Sequence, residues 1–170
     1  MNEKRLVYIV VFMFVVVAGC GYRLSGGGPL PGNVTRVAVA MFENRSFETG
    51  AEAVFTSALM TELVQSSDAR VVDRGEAEAV IFATIKSITL GALSRTSDDA
   101  VVERQVSAVL DLKVVSKDGE TIWSVQDFSE SEVCTVSDEN VSDEAAKREA
   151  VREIADRVSE RIISKMRDNF

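Results

Sequence analysis

Residues 101–125 read VVERQVSAVLDLKVVSKDGETIWSV, and the fold turns on this stretch. Val102, Val106, Ala108, Leu110, Leu112 and Val114 share one parity, while Glu103, Gln105, Ser107, Asp111 and Lys113 share the other. Strict alternation over Val101 to Val115 describes a strand with one face in a core and one face in water. Two residues depart from it. Arg104 has the apolar parity but sits near the strand start, where its head reaches water; Val109 has the polar parity. Asp118-Gly119 follows, the residue pair a tight hairpin turn favours because both central positions need positive φ. Thr121 to roughly Val133 is then the partner strand, with Trp123 and Val125 on one face.

Working upstream, Ala79 to Leu90 is a longer strand with apolar residues of both parities. Such a strand is covered on both sides or carries a bulge. Arg70 to Asp73 is a short strand, closed by the Gly75-Glu76 turn. Residues 47–65 form a helix, because Ala51, Phe55, Ala58, Leu59 and Leu63 recur at three- and four-residue steps. Val34 to Met41 is a strand in which Val37, Val39 and Met41 alternate with smaller residues, and Glu43 to Ser46 is a loop. Asn44-Arg45-Ser46 matches a glycosylation acceptor by chance.

Downstream, Ser137 to Asn140 is a loop and Asp143 to Met166 a long helix. Its stripe is Ala146, Ala150, Val151, Ile154, Ala155, Val158, Ile162 and Met166. Acidic Asp143 and Glu144 open it and basic Arg161, Lys165 and Arg167 close it, the order the helix dipole favours. Two helical stripes need a surface, and the hairpin offers one. The expectation is an α+β two-layer sandwich, with two helices packed on one face of a mixed four-stranded sheet. No internal repeat is present.

The first nineteen residues are read as a lipoprotein signal peptide. Lys4 and Arg5 precede an unbroken apolar run from Leu6 to Ala18, too short to span a bilayer, which takes about 20 residues. A charged start, a short apolar stretch and a small-residue end make a secretory signal. The end, Val17-Ala18-Gly19-Cys20, resembles the bacterial lipobox, so the mature chain is expected to start at an acylated Cys20. One acyl chain gives marginal membrane binding and several give a stable anchor. Gly21 in place of aspartate favours sorting to the outer membrane. Residues 20–33 are read as a lipidated tether, rich in glycine and proline at Gly26-Gly27-Gly28 and Pro29-Leu30-Pro31-Gly32, and residues 34–170 as one domain.

Of 170 residues none is histidine, two are cysteine, and the net charge is −8. The missing histidine excludes Ser-His-Asp and Cys-His catalysis and histidine metal sites. The acidic balance argues against nonspecific nucleic-acid binding, which needs a basic face. Cys134, the one cysteine besides Cys20, reads as a small buried apolar residue. No glycine-rich phosphate loop opens a helix after a strand, and Asp98-Asp99 and Asp138-Glu139 lack calcium-loop spacing. A Ser-Lys dyad is not excluded by composition, but no serine sits in a nucleophile turn. The expectation is a protein that is not an enzyme and holds no cofactor and no metal.

Beyond this the chain resembles the LPS-assembly lipoprotein family LptE. The resemblance begins at Cys20-Gly21-Tyr22-Arg23-Leu24. It runs through Leu30-Pro31, the strand Val37 to Phe42, the start of the first helix, Arg70-Val71-Val72-Asp73 and Ala77 to Ala83. Arg104-Gln105-Val106, the Asp118-Gly119 turn and the last helix complete it. It implies two helices on a four-stranded sheet, and a non-enzymatic lipoprotein on the periplasmic side of the outer membrane. Such a protein plugs the β-barrel protein LptD, assists its assembly, and binds lipopolysaccharide during export. The family's basic contact residue between two central strands matches Arg95, in Leu93-Ser94-Arg95-Thr96. A second basic residue before the last helix has no match, because Val136-Ser137-Asp138-Glu139-Asn140 holds neither lysine nor arginine. Lys86, Arg104 and Lys113 are the other strand cations, each read as an ordinary residue with its charge in water. The rival expectation is an auxiliary lipoprotein of an ABC-type lipid or solute transport system.

Overall fold

The computed structural model describes residues 28–95, 101–135 and 143–168. A 3-10 turn at Pro31–Asn33 leads into β1 (Arg36–Val39), β2 (Glu43–Asn44), α1 (Ala51–Ser66), β3 (Arg70–Val71), β4 (Ala79–Arg95), β5 (Val101–Ser116), β6 (Thr121–Thr135) and α2 (Asp143–Asp168). The strands form one sheet in the order β3-β1-β4-β5-β6, with β2 paired to β4 off that path. β1 runs parallel to β3 and β4, and β4, β5 and β6 are antiparallel neighbours. The sheet is therefore mixed, as expected, but it has six strands and not four.

The added strands are short for a physical reason. After Val39 the chain leaves the sheet, turns Phe42 into the core, and rejoins the edge of β4 at Glu43↔Thr84 and Asn44↔Ile85. A two-residue strand is too brief to show any alternation, so the sequence read this stretch as loop. The same departure ends the strand at Val39, short of the expected Met41, and leaves Met41 exposed while Phe42 is buried.

The double parity of β4 resolves as a bulge. Ile81, Ala83 and Ile85 are buried, then Ile88, and the pairing with β5 slips between Ile85 and Ser87. One unpaired residue, Lys86, moves the apolar side from odd to even positions. β6 does the same. Leu112 pairs with Val125 and Leu110 with Phe128, leaving Gln126 and Asp127 opposite Asp111, and Asp127 takes φ 51°.

One face of the sheet carries Val37, Ile81, Ala83, Ile85, Val106, Ala108, Leu110, Leu112, Val114 and Trp123, all buried. Against it lie Phe55, Leu59 and Leu63 of α1, and Ile154, Val158, Ile162, Ile163 and Met166 of α2. The buried Thr56 hydroxyl accepts from Phe42 N at 3.0 Å and donates to Glu52 O at 2.6 Å, so its polarity is satisfied. The stripes read in the sequence are the buried faces, with Ile163 added; the Ala146 side chain lies outside the described part. Leu30 and Pro31, within the segment read as tether, are buried in this core as well.

Candidate functional site

The sheet has two ends of different character. At one end lie the Asp118-Gly119 turn and the C-termini of both helices. Gly28 forms a bridge with Ser67 there, and the Arg167 guanidinium donates to Ser66 O at 3.0 Å. The Arg167 stem packs on Gly28 so closely that an added Cβ would lie 3.3 Å from its Cδ. The incoming chain is thus clamped beside the helix ends.

The other end holds the tip of the β4–β5 ribbon. Arg95 is the last residue of β4 and pairs with Val101 across that tip. Thr135 pairs with Glu103, so the end of β6 and the start of the connection to α2 lie at the same end. The side chains of Arg95, Arg104 and Cys134 lie outside the described residues, as do Cys20 and the connection 136–142.

The open face of the sheet carries the remaining strand cations. Lys86 lies 2.5 Å from Asp127 and 3.6 Å from Asp111, and Asp127 N donates to Asp111 at 2.8 Å. The Asp127 hydrogen bond holds the Lys86 ammonium above its ordinary pKa. Both bulges therefore meet in one ion-paired knot, and Lys86 has its charge matched within the sheet. Lys113 sits 5.6 Å from the Phe82 ring centroid, and the Arg74 guanidinium 5.5 Å from the same ring. Periodicity did not single out Phe82 or Arg74: one belongs to a strand with mixed parity, the other to a turn. A shallow recess of about 370 Å³ runs beside them, lined by Phe82, Thr84, Lys113, Ser124 and Gln126.

At the edge strand, Glu130 and Glu132 point toward the helices, not to water. Glu132 lies 3.1 Å from Arg157 and Glu130 3.5 Å from Arg161. Lys165 lies 6.0 Å from the Phe128 ring centroid. Four residues of helix rise about 6 Å and two of strand about 6.6 Å, so the two rows stay in step. Inward charge on an edge strand also discourages pairing with a foreign strand.

Among the described residues no group of three or more acidic or cysteine side chains could hold a metal ion. No described helix is long and apolar enough to cross a membrane. The sites on offer are surfaces of charge and aromatic contact on a small two-layer α+β domain.

Comparison with known proteins gives the class first. A putative lipoprotein from Caulobacter crescentus has the same fold, with a TM-score of 0.52 at 13% identity over 75% of this chain and 88% of its own. Lipoprotein B from Nitrosomonas europaea (TM-score 0.49, 15% identity, 85% and 91% coverage) and the rare lipoprotein B from Shewanella oneidensis (0.45, 15%, 79% and 95%) also match. No curated protein matches in sequence. The family described as LptE, lipopolysaccharide-assembly, matches residues 34–166, and the chain belongs to it. That is a family of non-enzymatic accessory lipoproteins.

Proposed function

We propose that this protein is an outer-membrane lipoprotein, acylated at Cys20 and held on the periplasmic side. It plugs the LptD barrel, assists the barrel's assembly, and contacts lipopolysaccharide through Arg95 during export. The family match over residues 34–166 carries this reading.

The geometry supports it. Eight residue steps separate Cys20 from the clamped Gly28, a reach of at most about 29 Å from an acylated cysteine. β4 spans Ala79–Arg95, which at about 3.3 Å per residue is roughly 50 Å. The chain enters at one end of the sheet and Arg95 stands at the other. A barrel lumen is polar, and both the open sheet face and the outer side of α2 are polar to match it. Lipopolysaccharide carries phosphates, which an arginine fork binds through charge-assisted hydrogen bonds. The overall negative charge means that such a contact must be local.

Two measurements test the reading. Arg95→Asp is expected to weaken lipopolysaccharide binding by about tenfold or more, the loss of one charge-assisted contact, with an unchanged thermal midpoint. Equal affinity in the folded variant removes Arg95 from the site. Cys20→Ala is expected to abolish acylation and release the protein from washed membranes; a variant that is still lipidated refutes the anchor.

A further inference from the structure

Phe47 is fully exposed, and the backbone around it is fixed. Asn44 Oδ1 accepts from Ser46 N at 2.9 Å and from Ser46 Oγ at 2.7 Å. Asn44 Nδ2 donates to Glu48 O and to Glu52 Oε2, both at 2.8 Å, and Glu48 N donates to Ser46 Oγ at 3.2 Å. Asn44 is itself paired to Ile85 of β4. The ring therefore stands in solvent at a place the backbone holds.

Beside the ring opens a cavity of about 460 Å³ between the start of α1 and the first turns of α2. That volume lies in the range of small-molecule sites. Ala51 and Val151 are buried and form its floor, with Val54 and Phe47 on the wall. Its rim carries Lys147, Arg148 and Arg152 against one acid, Glu48. Lys147 pairs with Glu48 at 2.7 Å and Arg152 pairs with Glu149. Arg148 is exposed, and no carboxylate pairs with it among the described residues. Arg148 and Arg152 are four residues apart and so share one face of α2. With Lys147 and Arg152 matched by acids, Arg148 over an apolar floor is complementary to a molecule with a negative head beside an aliphatic body.

We propose that this cavity binds a phosphorylated amphiphile, with the phosphate at Arg148 and acyl methylenes against Phe47, Val54 and Val151. The site is separate from Arg95, which lies ten residues beyond Ile85 along β4, about 30 Å on. The choice of ligand class rests on the lipopolysaccharide-binding reading above, and adds to it a second contact. The same chemistry is shared by the phosphorylated, acylated sugars of lipopolysaccharide and by a glycerophospholipid.

The test uses the full lipidated chain in an uncharged detergent, with a photoreactive benzoylphenylalanine in place of Phe47. The ring is wholly exposed, so the fold tolerates the change. The probes are lipopolysaccharide, the same material stripped of phosphate, and phosphatidylglycerol. Covalent capture of a phosphorylated probe is expected, at least fivefold above the dephosphorylated one. Arg148→Glu is expected to cut capture about tenfold, and Arg148→Lys to keep most of it, both with unchanged circular dichroism melts. Preference for lipopolysaccharide or for phosphatidylglycerol identifies the source, and either supports the site. Equal capture of the dephosphorylated probe, unchanged capture in Arg148→Glu, or adducts to protein alone would overturn it. A parallel label at position 95 separates the claims. Lipopolysaccharide captured at 95 but not at 47 removes this cavity and leaves the proposed function standing; capture at neither position defeats both.

Discussion

Glu78 fastens the start of β4 to the start of β1. Its carboxylate accepts from Thr35 N at 2.9 Å and Arg36 N at 3.2 Å, and lies 3.2 Å from the Arg36 guanidinium. The backbone donors, Thr35 first, hold its pKa below the ordinary glutamate value. A carboxyl whose pKa is depressed by folding stabilises the protein above its unfolded pKa of about 4.3. That contribution is lost as the pH falls through the lower, folded value. Urea midpoints of the protein and of Glu78→Gln are therefore expected to differ most above about pH 5 and to converge toward pH 3. A gap that stays constant with pH would show that the charge is not what Glu78 contributes. Nothing in the sequence marks Glu78 apart from its neighbour Glu76. Its role depends on β1 lying parallel to β4, a pairing between residues more than forty apart. Asn44 is similar: it reads as a loop residue, and only the fold supplies the two acceptors for its amide.

The elements themselves were easier to read, and the reason lies in their length. Both helical stripes and the alternation of β5 repeat often enough to fix a period, and among the described side chains the apolar ones they name are buried. Leu59→Ala in α1, fully buried against the sheet, is expected to cost about 2–5 kcal/mol by urea unfolding; a cost below 1 kcal/mol would contradict the packing. β6 was legible only to Val125. Beyond the Asp127 bulge its inward residues are Phe128, Glu130 and Glu132, and two glutamates on a core-facing parity look like solvent positions until Arg157 and Arg161 are set against them. Deleting Asp127 removes the extra residue and turns that half of the strand over. It is expected to destabilise the domain by about 2 kcal/mol or more. Asp127→Asn keeps the residue count and tolerates the φ of 51°, and is expected to cost far less than the deletion, since it loses only the charge of the exposed Lys86 pair. Equal effects from the two changes would show that the bulge does not set the register.

For the whole molecule, the two-layer class and the side on which the helices pack could be argued from patterns. The full strand number could not, because β2 has two residues and shows no alternation, while the short strand at Arg70 was read but not counted into the four. Arg95 was singled out only through resemblance, since by its sequence it looks like any loop arginine. The cavity beside Phe47 was not legible at all: it is formed by a loop and two helices that meet only in the fold. What unites these features is direction along the sheet, with the chain passing Arg167 at one end and Arg95 pairing with Val101 at the other. With the proposed anchor at Cys20, a domain held from one end suits a subunit that works inside a partner. The most direct test is to purify the full lipidated chain from detergent-solubilised envelopes by affinity and to identify what comes with it. The expected partner is the outer-membrane barrel LptD, retained by the protein and lost in a Cys20→Ala variant that no longer reaches the membrane. Recovery of inner-membrane transporter components alone would contradict the account.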